Sequence, residues 1–176
     1  MSHDPAAGDR ARHDLHDLPL DPDVEPRAAL AGVRRLRSEV DLLGLIAVGG
    51  AVGATGRWAL GEAWGSTDLP WPVLVANTAG CLALGVLMAL LLALAPAGSR
   101  SAQRVRALVG VGMLGGFTTF STAMLDIHRL LADGRQPAAM AVAVLGLLAA
   151  LAAVLIGLHG ARWAVRVLGV TDREGR

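Results

Sequence analysis

The residues most able to do chemistry form one run of glycine, phenylalanine and hydroxylated side chains inside an apolar segment. Residues 115–122 read Gly-Gly-Phe-Thr-Thr-Phe-Ser-Thr. Paired glycines favour departure from helical dihedral angles, and Thr and Ser hydroxyls offer the backbone alternative hydrogen bonds. An opened backbone at membrane depth must face protein or a polar path. Freed carbonyls can hold a cation, whereas hydroxyls and phenylalanine ring edges can face an anion. The run predicts an ion site at a helix break.

Two polar residues in the preceding apolar segments are further candidates. Asn77 interrupts the second segment, and an amide at that depth is costly unless it is bonded. It either joins helices or faces a wet path, where its NH₂ group can donate to an anion. Arg57 ends the first segment. It either snorkels to the interface or lends a fixed positive potential to an anion entrance.

The composition is that of a membrane protein. The 176 residues are 53% hydrophobic, with a mean hydropathy of +0.50. Cys81 is the only cysteine, so it is predicted to be a packing residue and not part of a disulfide or thiolate cluster. No nucleophile lies near a base, and no carboxylate pair or metal-ligand cluster is visible. We therefore expect no enzyme activity and no nucleic-acid partner.

Four stretches are long and apolar enough to cross a bilayer, which takes about 20 residues. They are residues 40–60, 71–94, 105–125 with an extension towards 131, and 137–158, connected by loops at 62–70, 95–104 and 126–136. The predicted fold class is an all-α membrane protein with four transmembrane helices, the third of them broken. The predicted domains are a disordered polar tail at 1–39, a four-span membrane domain at 40–162 and a short carboxyl-terminal tail at 163–176.

Arginine placement predicts the orientation of the chain. Four spans put the amino tail, the second loop and the carboxyl tail on one side, and basic flanks tend to stay cytoplasmic. Both termini are therefore predicted to be cytoplasmic, in the cell membrane. The arginines on that side are Arg27, Arg34, Arg35, Arg37, Arg100, Arg104, Arg106, Arg162, Arg166, Arg173 and Arg176, and those on the other are Arg57, Arg129 and Arg135.

Three motifs, in order along the first three spans, carry a family resemblance. They are Gly-Gly-x-x-Gly-x-x-Gly-Arg-Trp at 49–58, Val-Ala-Asn-Thr-Ala-Gly at 75–80, and the run at 115–122. Together they resemble the Fluc (CrcB) fluoride channel family. The resemblance implies a dimer of two oppositely oriented four-helix subunits, with two narrow fluoride paths and a structural sodium ion at its centre. It also implies passive export of fluoride from the cytoplasm.

The resemblance further implies roles for individual residues. Gly115 and Thr118 would offer backbone carbonyls to the sodium ion, Asn77 would line the fluoride path and Phe120 would present a ring edge to the anion. The full predicted path, with Arg57 at its entrance, comprises Arg57, Asn77, Phe117, Phe120, Ser121 and Thr122.

The chain departs from the family pattern in two places. Ala123 stands where the family usually has a second phenylalanine, and residues 138–158 contain no Ser, Thr, Tyr or Asn. At least one path is therefore expected to be altered or closed. Because the arginines also favour one orientation, we predict a heterodimer with an oppositely oriented paralogous subunit, which supplies the missing ring and donors.

Two other function classes are weighed against a channel. A small proton-coupled exporter needs a carboxylate inside the membrane, and the predicted spans contain none in their interior. A non-conducting structural subunit would explain the glycines and the apolar fourth span, but not the clustered hydroxyls or Asn77.

Overall fold

A computed structural model describes residues 25–65, 68–96 and 98–168, with side chains from residue 39 onward. The chain divides into two units, Met1–Val40 and Asp41–Arg176, and the described part of the first is helical. No strand occurs among the described residues. The helices are α1 (Glu25–Trp64), α2 (Trp71–Leu94), α3 (Arg100–Val105), a π-helix (Arg106–Leu114), α4 (Gly115–Phe117), α5 (Phe120–Ala132) and α6 (Gln136–Val167).

Four helical segments are long and apolar enough to cross a membrane, which confirms the predicted fold class. They are Glu39–Trp64, Trp71–Leu94, Arg100–Ala132 and Gln136–Val167. Large apolar side chains such as Leu145, Ile156 and Trp163 are exposed along them. The side chains that are buried are mostly small, and among the described residues none of them is polar.

Helix ends differ from the predicted boundaries at both termini. Helix α1 begins at Glu25, so residues 25–39, assigned above to a disordered tail, are helical. Alanine, leucine and arginine are strong helix formers and are frequent there. Helix α6 continues to Val167, into the predicted carboxyl-terminal tail. Residues 1–24 and 169–176 of the two predicted tails lie outside the described residues.

Helices α2 and α6 meet backbone to backbone through glycine. A Cβ atom on Gly157 would overlap the carbonyl oxygen of Leu82 and lie 3.0 Å from the amide nitrogen of Val86. One on Gly85 would lie 2.9 Å from the amide nitrogen of Leu158. Contacts this close are typical of membrane helices joined by small residues.

Helix α1 packs in the same way on the third segment. A Cβ atom on Gly53 would lie 2.8 Å from the amide nitrogen of Phe117, and one on Gly116 would lie 2.5 Å from the carbonyl oxygen of Gly50. Gly49 and Gly112 are in similar contact, with 3.0 Å between the Cα of Gly49 and a Cβ placed on Gly112. The α1 glycines therefore form a packing ridge that fixes the segment carrying the predicted break.

Candidate functional site

The third segment opens after Phe117. Helix α4 ends there, Thr118 (φ −80°, ψ 155°) and Thr119 (φ −151°, ψ 125°) are extended, and α5 begins at Phe120. The predicted break is confirmed. The expectation that the glycine pair would open is wrong, because Gly115 and Gly116 are helical. Gly116 serves close packing on α1, and the two threonines adopt the extended geometry.

Asn77 on α2 holds the opened backbone. Its Nδ2 donates to the carbonyl oxygen of Thr119 (3.0 Å), and the amide N–H of Thr119 donates to its Oδ1 (2.7 Å). One side-chain amide thus replaces both backbone partners that Thr119 would have in a continuous helix. This is the helix-joining interpretation of Asn77, and it leaves one Nδ2 hydrogen for another acceptor.

The threonine hydroxyls satisfy the backbone on each side of the break. The Thr119 Oγ1 accepts from the amide N–H of Thr122 (3.2 Å) and donates to the Thr122 Oγ1 (3.0 Å), so it caps α5. The amide and the hydroxyl of Thr118 both donate to the carbonyl oxygen of Leu114 (3.0 Å each). Thr119 was not among the predicted site residues, although a threonine before a helical run is a recognisable N-cap signal.

The carbonyl end of α4 is only partly satisfied. The Nε–H of Arg57 donates to the carbonyl oxygen of Gly116 (3.3 Å), and the Arg57 side chain is half-buried. The carbonyl oxygens of Gly115 and Thr118 accept no loop or side-chain hydrogen bond from the described residues. The two oxygens predicted to hold sodium are therefore without a loop or side-chain donor in the described part of the chain.

A cavity of about 290 Å³ adjoins the break between α2, α5 and α6. Asn77, Thr118, Thr119 and Phe120 line it, and the ring of Phe120 is 76% exposed. Cys81 lines it too, one helical turn beyond Asn77. The remaining walls are apolar and include Ala123, Met124, Val142, Ala143, Leu147 and Ala150.

The other predicted path residues lie outside this cavity. Phe117 is half-buried between α1 and α2, where its ring lies within 4 Å of the positions that Cβ atoms on Gly56 and Gly80 would occupy. Ser121 is exposed, and Thr122 is half-buried and bonded to Thr119. The structure thus brings Asn77, Thr118 and Phe120 together at one cavity and distributes the rest around the break.

These features define a small, all-helical, four-span membrane protein with a polar break in its third span. The family model described as "CrcB-like protein, Camphor Resistance (CrcB)" matches residues 44–158. The chain belongs to the Fluc (CrcB) family, which confirms the resemblance.

Curated relatives are similar in sequence to this chain over most of their own length. The fluoride-specific ion channel FluC 1 of Streptomyces coelicolor is 37% identical over 142 residues, which cover 80% of this chain and 87% of the relative. FluC 2 of Nocardia farcinica is 40% identical over 121 residues, covering 68% and 84%. FluC of Chelativorans sp. is 42% identical over 122 residues, covering 67% and 94%. The chain is accordingly a multi-pass membrane protein of an ion-channel family and not an enzyme.

Proposed function

We propose that this chain is a subunit of a fluoride channel that lets fluoride leave the cytoplasm passively. The observation that carries the proposal is the reciprocal pair of hydrogen bonds between Asn77 and Thr119 beside the cavity. The pair leaves one Nδ2 hydrogen of Asn77 unused, and the exposed ring of Phe120 borders the same space. Amide hydrogens and ring edges are the donors that a small anion needs when it sheds water.

Conduction also requires that the path not trap its ion. The cavity lining contains no charged side chain, so a fluoride ion there would meet only dipoles. Arg57 is bonded to the Gly116 carbonyl next to the break and does not line the cavity. Its charge raises the local positive potential without a direct bond to the anion. Ser121 and Thr122 extend the polar surface along α5.

Sodium is the structural cation we assign to the break. The residues fit it, because the carbonyl oxygens of Gly115 and Thr118 are hard, neutral donors with no loop or side-chain partner in the described chain. Gly115 is exposed, and outside its own helical turn no atom would lie within 4 Å of a Cβ placed on it, so the surface at Gly115 is open. A bound sodium ion would supply a fixed positive charge next to the path.

The dimer is proposed to be a heterodimer of oppositely oriented subunits. The α6 wall of the cavity is apolar throughout, and Ala123 leaves the α5 wall without a second ring. A paralogous partner inserted in the opposite direction would bring a phenylalanine and fourth-span donors to this site. Both termini of this chain would be cytoplasmic.

Fluoride efflux from liposomes tests the proposal, with chloride efflux as the selectivity control. The chain is reconstituted alone and with the neighbouring paralogous subunit, and we expect selective efflux only from the pair. Asn77→Leu should abolish it, while Thr55→Ala, which removes an exposed hydroxyl bonded to Ala51 on α1, should not. Efflux from this chain alone would overturn the heterodimer.

Absence of efflux in every preparation would favour a second candidate, a non-conducting structural subunit. The apolar α6 wall is the observation that supports it. A proton-coupled exporter has less support, because no carboxylate lines the cavity in the described part of the chain.

A further inference from the structure

Arg57 is a half-buried cation without a counter-charge. Among the described residues the ion pairs are Arg104–Asp41 and Arg129–Asp126, and both lie elsewhere. Its Nε–H is bonded to the carbonyl oxygen of Gly116 (3.3 Å). A charge within a membrane span is costly unless something nearby compensates it. The one group of the described chain that Arg57 is bonded to is the carbonyl of Gly116, in the segment that contains the break.

The carbonyl end of α4 places partial negative charge beside Arg57. The last carbonyls of a helix lack intrahelical donors and carry a partial negative charge. Here the amide and hydroxyl of Thr118 donate to the carbonyl of Leu114, and Arg57 donates to the carbonyl of Gly116. The carbonyl of Gly115 receives no loop or side-chain donor from the described residues. The guanidinium is thus bonded to the carbonyl that follows the Gly115 carbonyl in the chain.

We propose that the fixed positive charge of Arg57 weakens sodium binding at the break. Two cations then share the carbonyl end of α4, and their repulsion lowers the affinity for the one that can leave. Arginine does not deprotonate, so its effect is constant with pH. The inference rests on the sodium site of the proposed function and adds the residue that sets its affinity.

Thermal unfolding of the purified complex as a function of sodium tests this inference without relying on flux. Sodium chloride is exchanged for choline chloride at constant ionic strength, and the sodium concentration giving half of the rise in Tm is the readout. Arg57→Gln keeps N–H donors and removes the charge. We expect its midpoint to fall by roughly tenfold, the effect of removing one nearby like charge from a partly buried site.

Three variants make the test specific. Arg57→Lys keeps the charge, so its midpoint should stay within about threefold of the unaltered protein. Arg104→Gln, which breaks an exposed ion pair with Asp41, is the control and should leave it unchanged. Arg57→His adds an internal comparison, because imidazole loses its charge above a pKa of about 6.5. Its midpoint should fall as pH rises, while that of the unaltered protein should not.

The outcomes separate this inference from the proposed function. An unchanged or raised midpoint in Arg57→Gln overturns it, as does a fall in Arg57→Lys as large as that in Arg57→Gln. If Arg57→Gln cannot be purified, a pH-independent midpoint in Arg57→His overturns it instead. An unaltered complex whose Tm ignores sodium removes the sodium site and this inference together, whereas fluoride efflux is measured separately and stands or falls by itself.

Discussion

Asn77 has enough hydrogen-bonding atoms in one amide group for two tasks. Its oxygen and one of its hydrogens hold the extended backbone of Thr119, which leaves one hydrogen unused in a side chain that lines the cavity. At the residue scale, joining the helices is therefore compatible with lining the proposed path. A side chain with fewer hydrogen-bonding atoms could do one of these tasks but not both.

Replacing Asn77 with leucine should destabilise the protein as well as stop conduction. The change keeps the approximate volume but leaves the N–H and C=O of Thr119 without partners, at a cost of about 1–3 kcal/mol for each group. Denaturation in detergent or bicelles measures the loss. Asn77→Asp keeps the acceptor but places a carboxylate oxygen opposite the Thr119 carbonyl oxygen, so we do not expect it to restore the stability at neutral pH. A Leu variant as stable as the unaltered protein would contradict the role of Asn77 in holding the backbone of Thr119.

The two threonines of the break should respond differently to valine. Thr119→Val removes the cap of α5, which typically costs about 1 kcal/mol. Thr118→Val removes one of two donors to the Leu114 carbonyl, which keeps the amide of Thr118. We therefore expect faster amide hydrogen exchange in the first turn of α5 for Thr119→Val than for Thr118→Val. Equal exchange in both variants would show that the cap is unimportant.

At the element scale, glycine contacts fix the distance between spans. Gly157 lies against the α2 backbone, whereas a Cβ on Gly160 of the same helix would have no atom within 4 Å. Gly157→Ala should force α2 and α6 apart and destabilise the protein by about 1–3 kcal/mol. Gly160→Ala is the matched control, and its higher helix propensity should make it neutral or stabilising. Equal Tm values for the two variants would contradict this packing.

The break illustrates how far sequence could predict the site. Its position in the third segment followed from residue types, whereas the placement of Asn77 and Phe120 beside one another was implied by the family resemblance. The role of the glycines did not, because a glycine permits both unwinding and close packing, and only the facing α1 backbone decides between them. The Arg57–Gly116 bond was equally invisible, since it depends on the relative rotation of two helices.

At the scale of the whole molecule, the four spans were predictable because hydrophobic length is a local property of sequence. Their ends were less so: α1 and α6 both extend beyond their apolar cores, as helix propensity carries them past the hydrophobic stretch. The proposed dimer and its proposed ion paths would involve surfaces of a second chain. This chain's sequence bears on them through three features: Ala123, a fourth span without Ser, Thr, Tyr or Asn, and the placement of its arginines.

Arginine placement should determine the orientation of the whole subunit. Arg100, Arg162 and Arg166 are exposed and flank the second and fourth spans on the predicted cytoplasmic side, and none forms an ion pair with a described residue. Replacing all three with glutamine weakens the charge bias without breaking either of the ion pairs seen among the described residues. We expect a carboxyl-terminal reporter to be wholly cytoplasmic in the unaltered protein and divided between the two sides in the triple variant. If the unaltered protein already inserted both ways, the bias would be ineffective, and the argument for an oppositely oriented paralogous partner would fail with it.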